Sequence, residues 1–196
     1  MYSKRSFVVS ACAVVLGILI VVLARSSRPA SDASLIGKFR SHEAQFQSLA
    51  ALAIQDYHIV MIQDSVVLLF QEGTATPYVH LERGKSWPAS EAKLNFSQSR
   101  WKDYLDAFRK LDLKGGMERK RDLPDATFFV ASIEVLELDN DESAVITKGY
   151  AYIPGNMEYN LKDNLDDIKM DRPATFYRKI QDQWYLYYRW SVSKPE

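Results

Sequence analysis

The chain has 196 residues, with 25 Lys+Arg against 25 Asp+Glu and a single cysteine. Balanced charge excludes a general attraction to nucleic acid or to an anionic lipid surface. The cysteine is Cys12, inside an apolar run, so the rest of the chain has no disulfide, no zinc–thiolate site and no cysteine nucleophile.

Phe7 to Ala24 (FVVSACAVVLGILIVVLA) is an uncharged run of 18 residues. The basic segment 1–6, with Lys4 and Arg5, precedes it, and Arg25 and Arg28 follow it. As a helix it reaches roughly 27 Å, close to the ~30 Å hydrocarbon core of a bilayer. An uncleaved transmembrane anchor is expected over 7–24, with the membrane as the first partner. A cleaved signal peptide has a shorter apolar region, and the best cleavage site here, Ala24-Arg25-Ser26, carries an arginine at its centre. A lipoprotein signal ending before Cys12 leaves the apolar residues 13–24 without a purpose. A short basic N-terminus before a first span most often stays inside. The expectation is a single-pass protein of a bacterial inner membrane, its C-terminal domain in the periplasm.

Residues 25–34 (RSSRPASDAS) are small and polar, a linker. The remainder, 35–196, is long enough for one domain with its own core. Leu35, Ile36, Phe39, Phe46, Leu49, Ala50 and Ala53 have helical spacing over about five turns, with Asp32 or Ser34 as the cap. Ile59–Ile62 and Val66–Phe70 read as a hairpin of two buried strands; a helix continued through Met61 is the other reading. Residues 71–97 show no sustained period, and a short strand is expected near Tyr78–Leu81. Trp101, Tyr104, Leu105, Phe108 and Leu111 lie on one face of a second helix. Ser97 or Ser99 caps it, Gly115-Gly116 ends it, and Asp106 pairs with Lys110 on its solvated side. Strands follow at Thr127–Leu138, Ser143–Ile153, Thr175–Gln181 and Trp184–Val192, with turns at 139–142 and 182–183 and an irregular segment at 154–173. Short turns between consecutive strands imply an antiparallel sheet. The expected fold is α+β, two main helices on one face of a mainly antiparallel sheet of about five to seven strands.

Three fragments stand out together: Arg100-Trp101-x-x-Tyr104-x-x-x-Phe108-x-x-Leu111, Lys148-Gly149-Tyr150-Ala151-Tyr152, and Tyr177-Arg178-Lys179-Ile180 with Trp184-Tyr185-Leu186-Tyr187. The set resembles a group of small bacterial membrane-anchored proteins with no assigned activity. The resemblance spans roughly residues 87–190 and implies an envelope setting. It transfers no catalytic residue, and the acidic segment 163–171 departs from it.

Chemistry-bearing motifs are missing from the sequence. His42, His58 and His80 are not in an HExxH or other ligand spacing, and there is no G-x-S-x-G elbow. Lys114-Gly115-Gly116 lacks P-loop spacing. Asp139-Asn140-Asp141-Glu142 would begin an EF-hand loop whose sixth and twelfth positions are Ala144 and Tyr150, not Gly and Glu. Asp163, Asp166 and Asp167 read as solvated carboxylates. No catalytic residue, metal site or cofactor is expected. Charge is uneven: residues 100–121 carry eight basic and four acidic side chains, and 134–167 carry nine acidic and two basic; two solvated surfaces are the plainer account, and a dipolar domain that docks on a charged partner is the sharper one.

The candidate binding surface comes from strand alternation. Placing Gly149 and Ala151 toward a close-packed helix puts the Trp184/Leu186 set in the core and leaves Arg178 as a misfit. The opposite face then presents Tyr150, Tyr152, Tyr177, Tyr185 and Tyr187, edged by Lys148, Lys179 and Arg189. Tyrosine and arginine are favoured where proteins recognise partners. Loops covering these rings, or cross-strand tyrosine pairs that only stabilise the sheet, are the plainer account. The function expected is a membrane-anchored, non-catalytic interaction or accessory protein of the bacterial cell envelope, such as an accessory factor of an envelope machine or a toxin-neutralising immunity protein. An enzyme acting on an envelope polymer through carboxylates, and a small-ligand binding module, are the alternatives.

Overall fold

The computed structural model describes residues 30–71, 78–85, 95–119, 127–139, 142–155, 157–169 and 172–193. The expected anchor at 7–24, half of the linker, the tip of the 139–142 turn and much of 71–97 lie outside these residues. Among the described residues no helix is long and apolar enough to cross a membrane.

Among the described residues, three helices pack on one eight-stranded antiparallel sheet. They are α1 (Asp32–Ser41), α2 (Glu43–Gln55) and α3 (Gln98–Lys110). The strands are β1 (Ile59–Ile62), β2 (Val66–Phe70), β3 (Tyr78–Glu82), β4 (Met117–Arg119), β5 (Phe128–Asp139), β6 (Glu142–Tyr152), β7 (Ala174–Gln181) and β8 (Trp184–Ser193). Their spatial order is β3-β2-β1-β4-β5-β6-β8-β7. The fold class holds, with one helix and one strand more than the upper expectation.

The extra helix comes from a break at His42, where the backbone leaves helical geometry (φ −129°, ψ 25°). Ser41 Oγ donates to Lys38 O at 2.9 Å, and His42 Nδ1 lies 3.1 Å from the same carbonyl. Those side chains compete for a carbonyl near the end of α1, and the apolar period resumes in α2. The cap of α1 is Ser31, whose hydroxyl accepts from Ser34 N–H at 3.3 Å. In α3 the Ser97 hydroxyl accepts from Arg100 N–H at 3.1 Å. This helix ends at Lys110, ahead of Gly115-Gly116, and Asp106 pairs with Arg109 rather than Lys110. The extra strand, β4, has three residues, too few to show a period.

The helix-side core is aromatic. Phe46 stands 4.6 Å from Tyr150 and 5.3 Å from Trp184, ring centre to ring centre, and Phe39 is 5.6 Å from Trp184. Trp101, Tyr104 and Phe108 bury the expected face of α3, and Trp101 Nε1 donates to Gln63 O at 3.0 Å. A smaller cluster (Phe129, Ala151, Ile153, Met157, Tyr177, Tyr185, Tyr187) occupies the other face of the sheet. Gly116 (φ +71°) lets β4 approach β1: a Cβ there would sit 2.2 Å from Ile62 O.

Candidate functional site

The register divides the expected tyrosine face in two. Tyr150 stands opposite Leu186, and Tyr152 opposite Trp184. Directly opposed residues share a face. Lys148, Tyr150 and Tyr152 are therefore on the helix side with Trp184 and Leu186, a correction to the single-face arrangement. Gly149 and Ala151 stand opposite Tyr187 and Tyr185. The small residues make room for the β8 tyrosine rings, not for a helix. Tyr150 is fully buried and its hydroxyl donates to Leu35 O at 2.9 Å. Burial pushes its phenol up, so it stays a neutral donor. The Tyr152 hydroxyl meets Gln183 Oε1.

Tyr177, Tyr185, Tyr187, Lys179 and Arg189 do share the outer face. Tyr177 opposes Tyr187 and Lys179 opposes Tyr185. The three rings are buried, at 4%, 1% and 1% exposure. Above them lie the cations: Lys179 Nζ is 5.9 Å from the Tyr185 ring centre and the Arg189 guanidinium 5.8 Å from that of Tyr187. Arg189 also pairs with Glu118 at 2.9 Å. The outer face is thus an aromatic layer overlaid by charge, a geometry in which each cation gains from the ring quadrupole.

The misfit Arg178 leads to a second group of residues that the sequence did not bring together. Asp32, the first residue of α1, is 1% exposed, and so is Lys148 on β6. Lys148 Nζ contacts Asp32 Oδ1 at 2.7 Å and Asp166 Oδ1 at 2.5 Å. Arg178 from β7 reaches Asp32 Oδ2 at 2.8 Å, and Leu165 N–H donates to the same oxygen at 2.8 Å. Two carboxylates and two cations are gathered from four separate stretches of chain. Burial alone would push the Asp32 carboxyl up; the Lys148 ammonium, the Leu165 N–H and Arg178 outweigh it and hold the group below the ordinary carboxylate range. Asp166, read from sequence as solvated, is 36% exposed on its side chain and belongs to this cluster.

A third polar group joins α2 to α3. Asp56 accepts from Arg100 Nε at 2.7 Å and from the Tyr104 hydroxyl at 3.0 Å. Burial first, and the Asp56 charge second, push the Tyr104 phenol up. Arg119 Nη2 donates to Ala53 O at 2.7 Å, near the C-terminal end of α2 where a cation complements the helix dipole. Arg119 is therefore one basic residue of the 100–121 stretch that is used inside the fold.

Among the described residues no group of three or more His, Cys, Asp or Glu side chains could hold a metal ion. A cleft of about 410 Å³ between the end of β3 and the start of α3 is lined by Arg83, Lys85, Trp101, Lys102 and Leu105 among others. No protein-family model, curated protein or solved structure matches the chain, so no family is assigned to it by similarity.

Proposed function

We propose that the chain is a membrane-anchored, non-catalytic interaction or accessory protein of the bacterial cell envelope, with its α+β domain in the periplasm. The observation that carries the interaction reading is the outer sheet face. Lys179 and Arg189 sit over the buried Tyr185 and Tyr187 rings. Cations held over a rigid, buried aromatic layer offer a partner charge-assisted hydrogen bonds at fixed positions, and arginine is among the residues favoured at binding hot spots. The membrane reading rests on the apolar run 7–24, and the three-fragment resemblance supports the envelope setting.

The test is recovery of partners from native membranes with the full chain and with a Lys179→Glu/Arg189→Glu chain. The proposal expects a partner that is retained by the first and lost by the second, while circular dichroism shows both folded. Equal recovery by both would overturn the outer face as the contact. A reporter active only in the cytoplasm, fused after Glu196, is expected to be silent.

One observation favours a carboxylate enzyme acting on an envelope polymer: Asp32 and Asp166 meet at one ammonium. In that reading Asp166→Asn abolishes turnover of peptidoglycan. In the interaction reading wild-type and variant chains are equally inactive on it.

A further inference from the structure

The charge cluster fixes the chain's entry into the domain against one exposed strap. Segment 157–169 runs along the outer edge of β7, where Tyr177 N–H donates to Asn160 O at 2.9 Å and Lys162 N–H donates to Tyr177 O at 2.8 Å. Met157 and Leu165 are its buried pegs, at 6% and 1% exposure. Asp166 then receives the Asp32 N–H and closes the start of α1. Between the pegs, Tyr159 and Leu161 are 54% and 43% exposed. The strap thus displays two apolar side chains seven and five residues before Asp166, the residue that meets the start of α1.

Chain length limits how far that point can be from the bilayer. Residues 25–31 separate the end of the apolar run from Asp32, and seven residues span at most about 25 Å when fully extended. We propose that Tyr159 and Leu161 rest in the headgroup layer of the bilayer that holds the chain. The inference rests on the anchored reading above. Tyrosine is favoured at that depth because its ring is apolar and its hydroxyl stays solvated. Lys162 and Lys169 lie on the same strap, and lysine stems can lie along apolar surface while the ammonium stays in water. Asp166 is paired within the cluster, and Glu158, Asp163 and Asp167 outnumber Lys162 and Lys169 on the strap, so the contact is apolar in origin and gains nothing from anionic lipid. Tyr78 is on β3, at the opposite edge of the sheet from β7. Seven strand spacings separate those edges, roughly 34 Å at about 4.8 Å each.

The test uses the full chain in phosphatidylcholine vesicles, with Cys12→Ala and a nitroxide attached at Leu161→Cys or, as the comparison, at Tyr78→Cys. Both sites are exposed, so both variants keep the core intact. The expected result is flotation with the vesicles and a label at 161 that is several-fold less accessible to a water-soluble nickel chelate than the label at 78. Replacing part of the lipid by phosphatidylglycerol should leave that ratio unchanged. A chain that floats with equally accessible labels overturns the strap contact and leaves the anchor standing. A ratio that appears only with phosphatidylglycerol overturns the apolar basis. A chain that does not float overturns the anchor and the strap contact together.

Discussion

The Asp32 backbone N–H donates to both carboxylate oxygens of Asp166, at 3.0 and 3.1 Å, across 134 positions of sequence. This is an N-terminal helix cap supplied from the far end of the chain, where a negative group also meets the positive end of the helix dipole. The same carboxylate reaches the buried Lys148 ammonium. One side chain therefore ties the start of α1, strand β6 and the 157–169 strap into one body.

Lys148→Met tests how much that body depends on the ammonium. Asp32 would remain buried with only Arg178, itself 31% exposed on its side chain, as a cationic partner. Removing one member of a buried ion pair costs roughly 3–5 kcal/mol, because the surviving charge has lost its water and its partner. Urea unfolding of the variant should show a loss of that size. Adding Asp32→Asn to Lys148→Met should recover part of it, since the buried charge is then gone. A single-variant loss below about 1 kcal/mol, the range of exposed pairs, would contradict the cluster as described.

His58 makes stability depend on pH above the carboxylate range. The ring is packed beside Tyr57 and Phe96, and among the described residues neither nitrogen has a hydrogen-bond partner. Burial lowers its pKa, Asp56 opposes that shift, and Arg119 adds to it. Between the lowered folded value and the unfolded value near ~6.5, the unfolded chain binds more protons, so stability rises with pH. This contribution is complete above about pH 6.5 and is lost as pH falls toward the folded value. Asp32, also lowered, adds a loss that begins only below about pH 4. Denaturation midpoints across pH should decline from near neutrality. His58→Phe should remove the upper part of that decline and keep the acid limb.

Tyr104→Phe isolates one bond of the α2–α3 join. The hydroxyl donates to Asp56, which keeps Arg100 as a second donor. The expected cost is about 1 kcal/mol, the net worth of one buried hydrogen bond. Asp56→Ala should cost more, about 1–3 kcal/mol, because it strands a buried hydroxyl and a guanidinium together. Thermal unfolding of the two variants should keep that order.

Gly116→Ala tests the close approach of β4 to β1. The added methyl would meet Ile62 O at 2.2 Å, and the positive φ opposes any side chain. Substitution at an incompatible conformation destabilises by more than about 1 kcal/mol. Equal stability of the variant would show that the β1–β4 pairing is looser than this geometry requires.

What was legible in the sequence follows from the range over which each signal acts. Helix α3 and the β1–β2 hairpin were readable because their apolar periods and caps are local. Strand β4 was not, since three residues carry no period. The helix break at His42 was hidden because Phe46 and Leu49 resume the apolar period of Leu35 and Phe39. Two of the five tyrosines, Tyr150 and Tyr152, lie on the other face for a different reason. Alternation within β6 and within β8 is a local signal, but their relative register depends on pairing between strands, which sets Gly149 opposite Tyr187 and not against a helix. The Asp32–Lys148–Arg178–Asp166 cluster has no local signature at all. Its only trace was Arg178, a charge on a face otherwise assigned to the core.

The mass of the chain recovered from native membranes tests the central claim, a folded domain that remains attached to a bilayer through its own first segment. Intact mass spectrometry of the membrane fraction after alkaline washing should find the whole 22.5 kDa polypeptide, residues 7–24 included. A soluble species shorter by its first thirty or so residues would contradict the account.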